Sequence, residues 1–229
     1  MNVFNHVNEL ATMAFKTECY GNLKKDEAQT LIAELATQDL TEKEREFKLA
    51  RLYTYFTPAS PKKPKTDEQW IGLAMAGKKD IREYLQFIKA NEGDLVATDG
   101  HRLHLISGYD TEDNSWYDKS MNSIEGIEYR YPDYKRVIPD TAKMTEIAID
   151  VSSLEVVELA KAFSADLRYA YKIVDNKGDT LLHVNKKYLD QALSGLTSPT
   201  FYINSEYPQY NSLLITDSNK LAVIMPIRP

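Results

Sequence analysis

Apolar and polar residues change rhythm along this chain. In the first quarter the apolar residues recur at spacings of three and four. Ala28, Leu31, Ile32 and Leu35, within residues 26–35, predict one amphipathic helix. Thr41-Glu42-Lys43-Glu44 has the spacing of a capping box and opens a second helix through Phe56. The apolar set of that helix is Phe47, Leu49, Leu52, Tyr53 and Phe56. Residues 57–65, TPASPKKPK, hold three prolines and three lysines and predict a linker or an exposed loop.

From Thr66 onward the pattern shortens to strand-sized pieces. Residues 70–76 fit either a short helix or an extended run. Residues 81–89 and 95–106 predict strands around the Asn91-Glu92-Gly93 turn. Within the latter stretch Leu95, Val96 and Ala97 form an apolar run, Asp99-Gly100 is a turn dipeptide, and Leu103, Leu105 and Ile106 resume the strand. That is a hairpin presenting Thr98, Asp99, His101 and Arg102 at its tip. Residues 109–122 are a polar loop, 124–131 a strand, and Pro132 and Pro139 punctuate the connection after that strand. Farther on, residues 146–150 predict a strand, and Ser152 or Ser153 caps a helix carrying Leu154, Val157, Leu159, Ala160 and Phe163. Strands at 167–174 and 180–184 flank Asn176-Lys177-Gly178. Asn185 then caps a helix with Tyr188, Leu189, Ala192 and Leu193, and strands at 200–203, 213–216 and 221–227 close the chain. A strand–helix–strand–strand unit thus occurs twice in succession.

Composition narrows the picture only slightly. A chain of 229 residues, 43% hydrophobic and 27% charged, holds one large or two small domains with a normal core. No apolar run reaches the roughly 18 residues of a membrane span, and Met1-Asn2-Val3-Phe4 opens no signal peptide. A single cysteine, Cys19, rules out an internal disulfide framework and fits a reducing cytoplasm. The net charge of −6 argues against a domain held on DNA by an overall basic surface. An acidic exterior with a locally basic wall remains compatible with DNA, because the close-range field decides.

No catalytic set assembles from these residues. His101 and His104 lie three apart on a hairpin with no third ligand at metal spacing. There is no phosphate-binding glycine loop or lysine to make Arg102 catalytic, and Cys19 with His6 forms no recognisable dyad. Asp110, Glu112 and Asp113 fit a solvated loop. The expectation is a protein that is not an enzyme and needs neither metal nor cofactor.

Three stretches resemble one family. ATDGHRL (residues 97–103), YPDYKRVIP (131–139) and LAVIMPIRP (221–229) resemble the bacterial replicative sliding clamp, the β subunit of the polymerase III holoenzyme. VNKKYLDQAL (184–193) is similar to a helix of that family. The resemblance covers about residues 70–229, leaves the first of the family's three domains without a counterpart, and shortens the domain bearing ATDGHRL. It implies an α+β, DNA-clamp-like fold, with antiparallel sheets outside and helices lining an inner face. The implied domains are a helical N-terminal region and linker at 1–65, a shortened clamp-like domain at 66–138, and a C-terminal clamp-like domain at 139–229.

The same resemblance implies function. It points to a processivity factor, plausibly phage or mobile-element encoded, that encircles double-stranded DNA as a homo-oligomer, with a trimer as first expectation. A polymerase or other client would be tethered through a short peptide. The residues matching the family's peptide pocket are Leu85, Thr98, Gly100, His101, Arg102, Leu103, Pro132, Val137, Val223, Met225, Pro226, Ile227 and Arg228. Apolar floor residues would take leucine and phenylalanine anchors while Arg102 and His101 fix the peptide backbone from the rim. Lys78 and Lys79 are the first candidates for DNA contact, Lys186 and Lys187 the second, and Lys161 with Arg168 a third. A regulator or decoy that captures such peptides without forming a ring is the alternative, and a structural oligomer with no DNA role is a third possibility.

Overall fold

The computed structural model describes residues 25–37, 40–45, 48, 52, 63–159, 169–175 and 177–227. The chain divides into two compact units, residues 1–61 and 62–229. In the first, α1 (Lys25–Thr37) buries Leu31 and Leu35, one turn apart on the same face. Thr41 and Glu44 close the start of the next helical turn: the Thr41 backbone N–H and hydroxyl donate to Glu44 Oε2 at 3.0 and 2.6 Å. Lys48 pairs with Glu34, joining that turn to α1. Most of the predicted second helix, and residues 57–62 of the linker, lie outside the described residues.

The second unit begins with α2 (Asp67–Ile71), capped by the Thr66 hydroxyl, which accepts from Gln69 N at 3.3 Å. A 3-10 turn, Gly72–Ala74, extends it. Three strands come next: β1 (Ile88–Asn91), β2 (Asp94–Thr98) and β3 (Arg102–Ser107). The chain continues through β4 (Trp116–Tyr117), β5 (Thr145–Ile147), β6 (Glu155–Glu158), β7 (Tyr169–Val174) and β8 (Thr180–Asn185). Helix α3 (Lys186–Leu193) precedes β9 (Thr200–Ile203), β10 (Leu213–Asp217), β11 (Lys220–Ile224) and β12 (Pro226–Ile227). Asn185 caps α3 as expected, its Oδ1 accepting from Tyr188 N at 3.2 Å.

Among the described residues all strand pairings are antiparallel, in an eight-stranded sheet ordered β4-β1-β2-β3-β11-β10-β9-β5 and a four-stranded sheet ordered β12-β8-β7-β6. The class is α+β. The larger sheet contains a duplication. Helix α2 with β1, β2 and β3, and helix α3 with β9, β10 and β11, have the same order of elements. They meet at the β3–β11 seam, where His104 faces Ala222, and the strand order reverses across it as a two-fold rotation requires. The repeat therefore spans the segments 66–138 and 139–229 rather than lying twice within the latter.

Central strands of this sheet are covered on both faces, which is why LVA and LHLI read as near-continuous apolar runs. Leu95, Ala97, Ile106, Ala222 and Ile224 pack with Trp70, Ile71, Leu189 and Ala192 of the two helices. Their neighbours Val96, Leu103, Leu105, Leu214 and Val223 point to the opposite face. The stretch from Tyr131 to Met144 crosses that face, with Tyr131, Tyr134, Ile138 and Met144 packed down on it.

Four expectations change. Residues 81–87 are not strand: the Asp80 carboxylate accepts from Arg82 N at 2.9 Å and turns the chain into a 3-10 helix, Glu83–Gln86. Residues 124–131 form no strand, and Gly126 at φ +74° breaks the run. The helix expected after Ser152 is absent among the described residues. Asp150 takes Ser152 N at 3.0 Å to close a 3-10 turn, and the next residues form edge strand β6 with Val156 opposite Tyr171. The β-branched Val156 and Val157 suit that pairing. Finally, the last strand breaks at Met225: β11 stays in the large sheet and β12 joins β8 in the small one.

Candidate functional site

The tip of the β2–β3 hairpin is held by its own side chains. Thr98 Oγ1 donates to Arg102 O at 2.5 Å and accepts from Gly100 N at 3.0 Å. Asp99 Oδ1 accepts from His101 N and Arg102 N at 2.9 and 3.0 Å. Gly100 sits at φ +87°, a conformation that favours glycine, and a Cβ there would stand 2.5 Å from Arg82 Nη1. Arg82 itself is fixed by Asp80, at 3.0 Å from Nε and 2.8 Å from Nη2, and donates to Asp99 O at 2.9 Å. Hydrogen bonding to Arg82 holds the Asp80 carboxyl down at about 2. Met225 N donates to His101 O at 2.9 Å, tying the hairpin tip to the C-terminal strand.

A cavity of about 190 Å³ opens beside this tip on the face away from the helices. Leu85, Thr98, Gly100, His101, Arg102, Leu103, Pro132, Val137, Val223 and Met225 line it, drawn from four separated segments. Leu85, Leu103 and Val223 are the buried floor; Val137 and Met225 are large apolar groups left 55% and 42% exposed at the mouth. Arg82, Tyr84, Asp133 and Tyr134 complete the lining, and sequence reasoning had not singled them out. The signal was available for Tyr134, an aromatic inside the YPDY string.

Two expected residues are elsewhere. Pro226 and Ile227 form β12 and pair with Val184 and His183 rather than lining the cavity. Arg228 lies outside the described residues. Arg102 contributes to the lining, but its guanidinium is not a rim donor. That group points to the helix face, only 6% of the residue being exposed. Its Nε donates to Asp99 Oδ2 at 3.1 Å, and its terminal nitrogens bond Gln191 Oε1 and Leu73 O. The Tyr188 ring lies 4.3 Å from Cζ. Burial pulls its pKa below the ordinary value against the Asp99 charge. Arg102 therefore joins the hairpin tip to the end of the α2 turn and to α3.

Of the lysines, Lys78 and Lys79 are exposed in the turn after the α2 extension, where Asp80 N donates to Gly77 O at 2.9 Å. Lys187 is exposed at the first turn of α3. Lys186 is not presented for phosphate contact: Nζ donates to Asp190 Oδ2 at 2.5 Å and sits 4.9 Å over the Tyr171 ring. Burial opposes its charge, but the bonds to Asp190 and Tyr171 prevail and raise its pKa. Lys161 and Arg168 lie outside the described residues, as do His6 and Cys19.

His104 is fully buried under α2. Nδ1 lies 2.9 Å from Trp70 O, and the ring stacks on Trp70 at 4.3 Å and 13°. Burial, and then the Arg102 charge, push it down to about 3, so it is neutral at ordinary pH. His101 is exposed on the other side of the tip. Among the described residues no group of three or more His, Cys, Asp or Glu is placed to hold a metal ion, and no helix is long and apolar enough to cross a membrane.

No protein-family model and no curated protein matches the sequence. Among the solved structures it resembles are bacterial sliding clamps. One is the DNA polymerase sliding clamp of Pseudomonas aeruginosa, at 16% identity and TM-score 0.45, over 71% of this chain and 64% of that one. The Bacillus subtilis clamp gives 16% and 0.45 over 71% and 61%, and that of C. crescentus 18% and 0.45 over 70% and 62%. The chain thus spans a little under two thirds of these clamps.

Proposed function

We propose that this protein is a sliding-clamp-like processivity factor of a replication system, and that its cavity captures a short peptide of a polymerase or other client. The observation that carries this reading is convergence. Ten residues chosen from four separated stretches of sequence meet around one cavity, with a buried apolar floor and an adaptable methionine at its mouth. A peptide with leucine and phenylalanine anchors suits such a floor, each large anchor contributing roughly 1.5–3 kcal/mol when fully buried. Exposed backbone of the bound peptide would meet His101 and Arg82, not Arg102. After the ordering cost of a flexible peptide, affinity on the order of micromolar results.

The reading extends to a homo-oligomeric ring, a trimer first, closed around double-stranded DNA without sequence preference. Lys78, Lys79 and Lys187 supply phosphate contacts, and no chemistry is catalysed. Two measurements test it. Calorimetric titration of an anchor peptide should show binding that weakens about tenfold in Met225→Ala, the equivalent of about 1.4 kcal/mol. Solution mass should show a discrete oligomer. Absence of peptide binding removes the pocket reading; a monomer at high concentration with peptide binding intact replaces the ring by a peptide-capturing regulator.

A further inference from the structure

Beside the proposed peptide cavity lies a second, larger one of about 390 Å³, whose chemistry is different. The two share Pro132, Asp133 and Tyr134, so this short ridge is the wall between them. At the base of the second cavity is Lys89, on β1 opposite Trp116 and only 5% exposed. Its Nζ donates to both oxygens of Asn114, backbone and side chain, at 2.6 Å each, and lies 4.6 Å from the Trp116 ring centroid. Asn114 adopts φ +60° to present those two oxygens.

Every direct partner of Lys89 is therefore neutral. Burial pulls its pKa below the ordinary value, with Asp113 only partly opposing. A buried cation without a bonded anion is costly unless an anion arrives. Arg130, also on the lining, is exposed and forms no ion pair among the described residues. Lys135 is already neutralised by Glu92. With Asp133 counted, the lining holds three cations against two carboxylates, within a protein of net charge −6.

We propose that this cavity is an acidic-residue subsite for the same client peptide: apolar anchors occupy the first cavity, and a neighbouring aspartate or glutamate crosses the Pro132–Tyr134 ridge to Lys89 and Arg130. The inference rests on the peptide reading of the first cavity. A ridge three residues long spans about 10 Å, which three or four residues of extended peptide cover. Placing the carboxylate beside a desolvated lysine gives selectivity for acidic flanks more than raw affinity.

The test uses the whole protein and its tryptophans. The chain has two, Trp70 fully buried and Trp116 on this cavity, so emission compared with Trp116→Phe isolates the site. Anchor peptides carrying an Asp-Glu flank or the matching Asn-Gln flank are titrated, together with a free Asp-Glu-Asp-Glu tetrapeptide. The acidic flank should tighten binding about tenfold at low salt and change Trp116 emission, and about 0.5 M salt should remove most of the gain. Lys89→Met, which keeps the aliphatic stem over Trp116, and Arg130→Gln, on an exposed side chain, should each reduce the gain and leave the Asn-Gln peptide unchanged. Equal affinity of the two peptides with silent Trp116 overturns the subsite while the first cavity stands. If neither anchored peptide binds, the first-cavity reading has failed. The tetrapeptide then decides: a Trp116 response lost in Lys89→Met supports the acidic subsite, and silence overturns it.

Discussion

The indole N–H of Trp70 donates to the carbonyl of Ala192 at 2.8 Å, joining α2 to α3 across the two halves of the large sheet. The seat for that indole exists because residue 195 is glycine; a Cβ there would stand 2.5 Å from Trp70 Cγ. Lys220 crosses the same region, donating to Gly195 O at 2.9 Å and pairing with Asp67 at 2.7 Å. Gly195→Ala must displace the indole or the backbone, so it should cost about 1–3 kcal/mol in urea unfolding. Trp70→Phe should cost at least as much, since it leaves the Ala192 carbonyl buried and unpaired as well as creating a void. Wild-type stability in Gly195→Ala would mean the helix pair has more slack than this contact allows.

Arg102 and Met225 should separate cleanly. Arg102→Ala removes a buried guanidinium from Asp99, Gln191 and Leu73, and a change of this kind costs about 3–5 kcal/mol. Met225→Ala trims a side chain that is 42% exposed and should change stability by less than about 1 kcal/mol while weakening the anchor peptide. Parallel unfolding and peptide titrations check both. If Arg102→Ala folds normally and only loses peptide, Arg102 is a ligand contact after all.

His104 sets a pH dependence. Its folded-state value, about 3, lies below the ordinary 6.5, so below pH 6.5 the unfolded chain takes up a proton that the folded protein refuses. This contribution to stability is complete above pH 6.5 and is lost as pH falls toward 3. The slope is at most about 1.4 kcal/mol per pH unit. Asp80, ordinarily 3.8 and held at about 2 in the folded state, loses its own contribution between those two values, so the interval from pH 6.5 to 5 is free of it. Urea midpoints at several pH values should fall on acidification between pH 6.5 and 5 in the wild type. His104→Phe should flatten that slope even if its absolute stability differs.

The N-terminal unit should be separable. Residues 1–61 and 62–229 cluster as distinct compact units, so deleting residues 1–61 should leave a remainder that melts cooperatively. Circular dichroism and a single thermal transition check this; a molten remainder would make the first unit part of the second unit's core.

Charge reversal of Lys78 and Lys79 should shorten retention on closed circular DNA, with a weaker salt dependence and unaltered peptide binding. Reversal of Lys186 should instead destabilise the fold, because its partners Asp190 and Tyr171 are internal. Equal retention by the Lys78/Lys79 variant would exclude that turn as a DNA contact.

Local chemistry was legible in the sequence. Asp99-Gly100 sets the hairpin, Asn185 caps α3, and the three family-like strings mark most of the cavity, because turns, caps and short motifs are decided by residues close together in the chain. Two side-chain placements were also legible in the sequence. Arg102 and Leu103 are neighbours on one strand, so their side chains take opposite faces: with Leu103 on the cavity floor, the Arg102 guanidinium belongs to the helix side and is not a rim donor. Asp190 stands four residues after Lys186 on a helix, the spacing of an ion pair. Other features were beyond any local pattern. The β3–β11 seam joins segments distant in sequence, and no periodicity states which strand edge will meet which. Residues 155–158 became strand because β7 offered an edge, a partner that helix spacing does not register. Lys89 is removed from water only by Asn114 and by Trp116 of β4, residues more than twenty positions away that no local pattern pairs with it. Burial and pairing are properties of the assembled chain, and they alone decide whether a charge is a surface ornament, a strut or a binding group.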